Sequence, residues 1–215
     1  TVLNQHSYAM NAAHQRTQQT ISDGNAAGNT HFTDYTYDAI GQLQTAKGTD
    51  HAYDYGVGDY VNAARLQEQF GYAYDAAWNL NRRTNNALVQ TFGVNNLNQL
   101  TNATRSGTLT VAGLASEPRG GDAAWGSPAG VTNVTVSGTG LTTGNANLYA
   151  DGSWAKANAT LANGNNSYTA TAKDTYDRTA TDSLTVNLPA TNTFSYDGNG
   201  NLTNDNRGTT FTYDN

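Results

Sequence analysis

The strongest constraint on this chain is a nine-residue pattern, clearest at Phe194-Ser195-Tyr196-Asp197-Gly198-Asn199-Gly200-Asn201-Leu202. Two aromatics two residues apart share one face of a strand, while Ser195 points to the other. Asp197 and Gly200 then take the first and fourth places of a β-turn, where a type I turn favours a side-chain acceptor and a glycine. Leu202 opens the returning strand. The unit is a hairpin, and whatever repeats it is a chain of hairpins.

The pattern recurs. Tyr35-Thr36-Tyr37-Asp38-Ala39-Ile40-Gly41-Gln42-Leu43 is a second complete copy, and Tyr72-Ala73-Tyr74-Asp75-Ala76-Ala77-Trp78-Asn79-Leu80 keeps everything except the glycine. Two worn copies carry Tyr8, Met10, Asn11, Gln15 and Arg16, and Phe92, Val94, Asn95, Gln99 and Leu100. Phe211-Thr212-Tyr213-Asp214 opens one more, and Tyr53-Asp54-Tyr55 is a fragment in an ambiguous frame. Consecutive copies lie roughly 17 to 37 residues apart, a spacing that suits a repeat array. The repeat tyrosines are expected to stack in a ladder across neighbouring strands.

Composition agrees with thin β-layers. Apolar residues make up 37% and charged residues 13%, which argues against a thick core and against disorder by charge repulsion. The net charge of -6 comes almost wholly from Asp, since Glu68 and Glu117 are the two glutamates. Asp sits in the turns, so the acidity follows from turn chemistry. With no basic run, nucleic-acid binding and anionic-membrane binding are not expected. There are no cysteines, which excludes disulfides and thiol chemistry. No stretch approaches the ~18 apolar residues of a membrane helix. With no signal peptide, and with an end inside a repeat, the chain is expected to be a fragment of something longer or a processed product.

Residues 61 to 70 read either as a short helix with Leu66 and Phe70 on one face or as a strand running into Tyr72; the repeat context favours the strand. From about Arg105 to Pro189 the repeat is no longer visible, and all three prolines, Pro118, Pro128 and Pro189, lie in or beside this stretch. Alternation at Leu109/Val111, Val134/Val136, Tyr168/Ala170/Ala172 and Leu184/Val186/Leu188 predicts five to seven short strands, a small β-sandwich with Trp154, Tyr168 and Leu184 in its core. The division expected is a repeat sheet over 1–103, a sandwich insertion over 104–190 and resumed repeat over 191–215. An insertion of this kind is tolerated at a hairpin tip.

No constellation points to catalysis. His6, His14, His31 and His51 form no metal-ligand spacing, and no nucleophile elbow occurs. Asp197, Asn199 and Asn201 mimic the opening of a calcium loop, but Leu202 and Gly208 stand where that loop needs Gly and Glu. No enzyme, cofactor or metal is therefore expected. Trp125 and Trp154 are the candidate binding aromatics.

The pattern [YF]-x-Y-D-x-x-G-x-L resembles the YD repeat of bacterial RHS-repeat proteins, relatives of toxin-complex shell proteins and teneurins. The positions carrying it are Tyr35, Tyr37, Asp38, Gly41 and Leu43; Tyr72, Tyr74, Asp75 and Leu80; Phe194, Tyr196, Asp197, Gly200 and Leu202; and Phe211, Tyr213 and Asp214. The run Gly164 to Asp174, closing at Asp177-Arg178, resembles the last hairpin of bacterial Ig-like domains. What these resemblances imply is an all-β chain, a spiralling YD-repeat sheet interrupted by an Ig-like sandwich. The implied role is structural: part of a secreted or cell-surface shell that encloses or displays another polypeptide, its partners being the rest of the RHS chain or a C-terminal cargo. The self-cleavage signature of many members and any toxin domain are absent. Two other readings stand beside it, a glycan- or cell-surface-binding module in the insertion and a self-assembling subunit that pairs with its own copies.

Overall fold

The computed structural model describes residues 5–22, 28–115 and 130–213. Among these residues every regular element is a strand, so the all-β expectation holds. The chain first forms an antiparallel meander of eight strands: β1 (Gln5–Met10), β2 (Arg16–Ser22), β3 (Thr30–Tyr37), β4 (Leu43–Asp54), β5 (Asp59–Tyr74), β6 (Leu80–Asn85), β7 (Leu88–Val94) and β8 (Leu100–Leu114). The stretch 61 to 70 lies inside β5 and is strand.

A meander alternates its turns between two edges. The four repeat turns (β1–β2, β3–β4, β5–β6 and β7–β8) therefore line one edge, and the irregular connections line the other. The regular edge is built identically each time. Asn11, Asp38, Asp75 and Asn95 each turn one side-chain oxygen, Oδ1, onto two backbone N–H groups, two and four residues on, at 2.8–3.0 Å. The fourth residue of each turn has a positive φ: His14 at 59°, Gly41 at 90°, Trp78 at 68° and Asn98 at 59°. This is a type I turn followed by a left-handed residue, the three-residue hairpin loop with a bulge. The bulge appears as a register slip at the same place in each pair, before Met10, Tyr37, Tyr74 and Val94.

After β8 come β9 (Val131–Gly138), β10 (Leu141–Asn145), β11 (Asn147–Leu148), β12 (Ser153–Thr160), β13 (Gly164–Asp174) and β14 (Thr179–Leu188). They form two layers. One is the four-stranded sheet β10-β9-β13-β14; the other is the outer half of β8 with β12 and β11. Strand β8 thus runs unbroken from the meander into the second layer. The main apolar core lies between these layers, with Val134, Val136 and Trp154 at its centre and Val111, Val131, Leu141 and Leu148 around them. Among the described residues the meander has one buried apolar side chain, Ala46, so it is the thin sheet that the composition indicated.

The chain returns at β15 (Thr191–Thr193), which pairs with Asn102 to Thr104 of β8, followed by the hairpin of β16 (Ser195–Tyr196) and β17 (Leu202–Asn204). Arg105 staples this neck. Its backbone N–H donates to the Ala190 carbonyl, and its guanidinium donates to the carbonyls of Pro189, Ala162 and Leu188.

Two expectations need correction. Leu184 is 65% exposed and outside the core, because β14 is the edge strand of its sheet and overhangs the opposing layer. The repeat turn also persists where the repeat looks lost. Asp174 caps the N–H groups of Tyr176 and Arg178, and Asp177 takes the left-handed position at φ 63°. Thr171 and Lys173 stand in the aromatic slots of that copy, which hides it from a pattern built on aromatics.

Candidate functional site

The repeat residues are placed as their spacing requires. Tyr35 and Tyr37, Tyr72 and Tyr74, and Phe194 and Tyr196 are half-buried on one face, with Thr36, Ala73 and Ser195 exposed on the other. Tyr8 and Met10 of the first worn copy are 48% and 56% exposed, since β1 ends the sheet. Phe211 is half-buried, Tyr213 is exposed, and Asp214 lies outside the described residues.

What joins one copy to the next differs from a stacked ladder. The close ring pairs among the described residues, His51–Tyr60, Tyr53–Tyr60, Tyr53–Tyr55 and Phe70–Tyr72, do not link the repeat aromatics of one copy to those of the next. In three copies the second aromatic uses its hydroxyl instead. Tyr37 Oη donates to the Arg16 carbonyl at 2.8 Å, Tyr74 to Leu43 at 3.2 Å and Tyr196 to Leu100 at 2.9 Å. Each acceptor is the residue that opens the returning strand of the preceding copy. The turns touch as well: Asn79 Nδ2 donates to Asn98 Oδ1 at 3.0 Å, and Gln99 Nε2 to the Gly200 carbonyl at 3.4 Å. The Asp197 hairpin therefore carries the row on past β8, with Gly200 at φ 86°.

Hydrogen bonds also set the charge of these turns. Bonds from Asn79 side chain and backbone, with Ala77 N–H, hold the Asp75 carboxyl below the ordinary range; Asn201 and Asn199 do the same for Asp197. Both Asp197 oxygens are taken by protein donors, Oδ1 by two backbone N–H groups and Oδ2 by Asn201 Nδ2. The mimic of a calcium loop is thus organised as a capped turn.

A second polar site was not legible in the sequence. Arg65, in the middle of β5, is 3% exposed. Its Nη1 lies 3.3 Å from Asp50 Oδ1, its Nε 2.9 Å from Glu68 Oε1, and its Nη2 2.9 Å from both Asp151 Oδ2 and Ser153 Oγ. The guanidinium carbon sits 5.0 Å from the centre of the Tyr149 ring. Tyr149 in turn donates from Oη to the Ala64 carbonyl and accepts from Leu66 N–H. Ala150 N–H donates to Asp50 Oδ2. The cluster clamps the β11–β12 turn of the second layer onto β4 and β5 of the meander. Burial raises the Asp50 carboxyl, and the Ala150 and Arg65 contacts pull only part of that back. Burial would raise Asp151 too, but bonds from Arg65 and Ser153 together hold it low.

The third feature is a cleft of about 770 Å³ between the two layers, open along β14 and lined by Val111, Val134, Trp154, Tyr168, Ala170 and Leu184. Trp154 is 7% exposed and lies over Gly113, where an added Cβ would come within 2.6 Å of its ring. Trp154 thus faces the cleft and not open solvent; Trp125 falls outside the described residues. The Tyr168 hydroxyl is buried in the cleft wall with no hydrogen-bond partner among the described residues.

Among the described residues no group of three or more His, Cys, Asp or Glu is arranged to hold a metal ion, and no helix is long and apolar enough to cross a membrane. No protein-family model matches the chain, and no curated protein matches it.

Proposed function

We propose that this chain is a scaffold: a sector of a YD-repeat sheet of the RHS type, interrupted by an Ig-like sandwich, that encloses or displays another polypeptide of a secreted or surface protein. The observation that supports this reading best is the relay of phenol-to-carbonyl bonds from Tyr37, Tyr74 and Tyr196 to the preceding copy. Such a relay has no use in an isolated hairpin. It couples three of the copies to the one before, and nearest-neighbour coupling is how repeat arrays gain stability and extend. The Arg65 clamp fits the same role, because it ties the second layer to the sheet through buried ion pairs.

The test is limited proteolysis of the parent polypeptide, comparing wild type with the Y37F/Y74F/Y196F variant. A scaffold predicts a protease-resistant polypeptide beyond these residues, cleaved faster in the variant. No protected polypeptide, or equal cleavage in both, counts against it.

A further inference from the structure

Strand β14 is an edge that carries almost none of the usual guards. Natural edge strands are kept from pairing by charges, prolines, bulges or shortness. Thr179–Leu188 is ten residues long and pairs with β13 through ten consecutive partners without a register slip. It contains no proline, and Asp182 is its one charge. Its outer face is a row of hydroxyls and amides already satisfied against β13, at Thr181–Thr171, Ser183–Thr169, Thr185–Ser167 and Asn187–Asn165. Its inner face presents Ala180 and Leu184 at the mouth of the cleft, and Leu184 is 65% exposed. Among the described residues an open ladder edge and an open apolar cleft therefore coincide.

We infer that β14 is a dimer interface and that its partner is β14 of a second copy of this chain, antiparallel across a two-fold axis. A two-fold contact must be self-complementary, and this strand is. Setting Leu184 opposite Leu184 of the second copy keeps even-numbered inward residues against inward ones and hydroxyls against hydroxyls. In that register Asp182 faces Val186 of the other strand, so the two Asp182 carboxylates stand four residues apart, about 13 Å. That exceeds the ~8 Å screening length at physiological salt. A register centred on Asp182 would set the carboxylates directly opposite each other and is excluded. With Leu184 opposite Leu184, residues 180–188 pair, about nine residues at about 3.3 Å each, so the ladder is about 30 Å long, and the overhanging sheet with its side chains is about 10 Å thick. Each copy then hides roughly 300 Å², the scale of a weak, concentration-dependent contact and below the ~800 Å² per partner of a standard stable interface. The pairing closes both cleft mouths and joins two four-stranded sheets into one. It is independent of the scaffold reading.

The chain has no cysteines, so one introduced thiol reports the register cleanly. Under mild oxidation Leu184→Cys should form a disulfide-linked dimer at least about tenfold faster than Val57→Cys, whose site in the β4–β5 connection is 68% exposed. Sedimentation of the wild type over rising concentration should show a monomer–dimer equilibrium. Leu184→Lys, with an unchanged circular-dichroism spectrum, should raise its dissociation constant about tenfold or more. Equal cross-linking rates, a monomer at every concentration, or association that survives Leu184→Lys would each overturn the assignment. So would a monomer whose Trp154 fluorescence responds to a capped valine–threonine peptide, since the edge would then belong to a foreign strand.

Discussion

Replacing Arg65 by Met isolates what the buried clamp contributes. The methionine keeps much of the apolar volume of the stem and removes the charge and its donors. It leaves Asp50 and Asp151 with side chains 7% and 19% exposed and no cation beside them, while Glu68, at 29%, retains some water. Breaking a buried pair from one side costs about 3–5 kcal/mol, because the remaining charge stays desolvated. That is a large share of a typical domain stability of about 5–15 kcal/mol. Urea denaturation followed by tryptophan fluorescence would measure the loss. Lys173→Ala serves as the comparison: its ion pair with Asp177 has partners 46% and 81% exposed, and its removal should cost about 0–1 kcal/mol.

The same reasoning fixes how the R65M cost varies with pH. Without the cation, the Asp50 carboxyl, already raised by burial, rises further, and the Asp151 carboxyl, held low by Arg65 and Ser153, rises above its unfolded value. A raised carboxyl binds more protons in the folded state, so the penalty is largest above that pKa and shrinks as pH falls toward it. The cost should be visibly smaller at pH 5 than at pH 7.5. Adding D50N, E68Q and D151N to R65M should recover much of the loss at neutral pH, since neutral groups of the same shape are far cheaper to bury than unpaired charges. A cost below about 1 kcal/mol, or one equal at both pH values, would refute the account of Arg65 as a charge clamp.

Other outcomes follow from the turns and the relay. Trp78→Gly should stabilise by about 1 kcal/mol in thermal melts, since a 70%-exposed tryptophan now holds a left-handed φ of 68°. Tyr37→Phe or Tyr196→Phe should each cost about 0.5–1.5 kcal/mol in urea titrations for one lost hydrogen bond. The alanine variants should cost about 1.5–3, less than a fully buried ring would, because these rings are half-buried. Asp75 and Asp197 are held low in the folded state, so their stabilisation is present above the unfolded pKa near 3.8 and is lost as pH falls below it. The D75N/D197N variant, scanned by melting temperature from pH 6 to 2.5, should therefore lose less stability in acid than wild type. Asn11 and Asn95 already make the same caps without a titrating group.

The hairpins and their alternation were legible because every determinant of the turn lies within nine residues. A side-chain acceptor caps, a left-handed position relaxes the exit, and two aromatics choose a face. Strand β5 was legible for the same local reason, as continuity into Tyr72. The Arg65 clamp was not, because its second-layer partners, Asp151 and Ser153, are 86 and 88 residues away. No local pattern distinguishes a buried arginine in a strand from a solvated one. Leu184 misled because alternation shows which residues share a face and not whether another layer covers it. Asp174 was hidden because the turn depends on the cap and the left-handed residue, whereas the visible pattern depends on the aromatics.

That separation explains how worn copies survive in one sheet. The cap, the left-handed residue and the phenol relay are three independent contributions, and the third and fourth copies each lose a different one. The third copy keeps its aspartate and tyrosine and has Trp78 in place of glycine, so it retains the Tyr74–Leu43 bond and carries backbone strain. The fourth keeps its cap through Asn95 and has Val94 in the tyrosine slot, so it has no hydroxyl to reach back. There the neighbouring turns are linked by Asn79 and Asn98 instead. Losses of about 1 kcal/mol spread over separate units are tolerable where the same losses within one hairpin would not be, since an array's stability sums unit terms and nearest-neighbour terms. Placing all three defects in the second copy, as D38A, G41V and Y37F together, should therefore destabilise β3 and β4 well beyond any single worn copy.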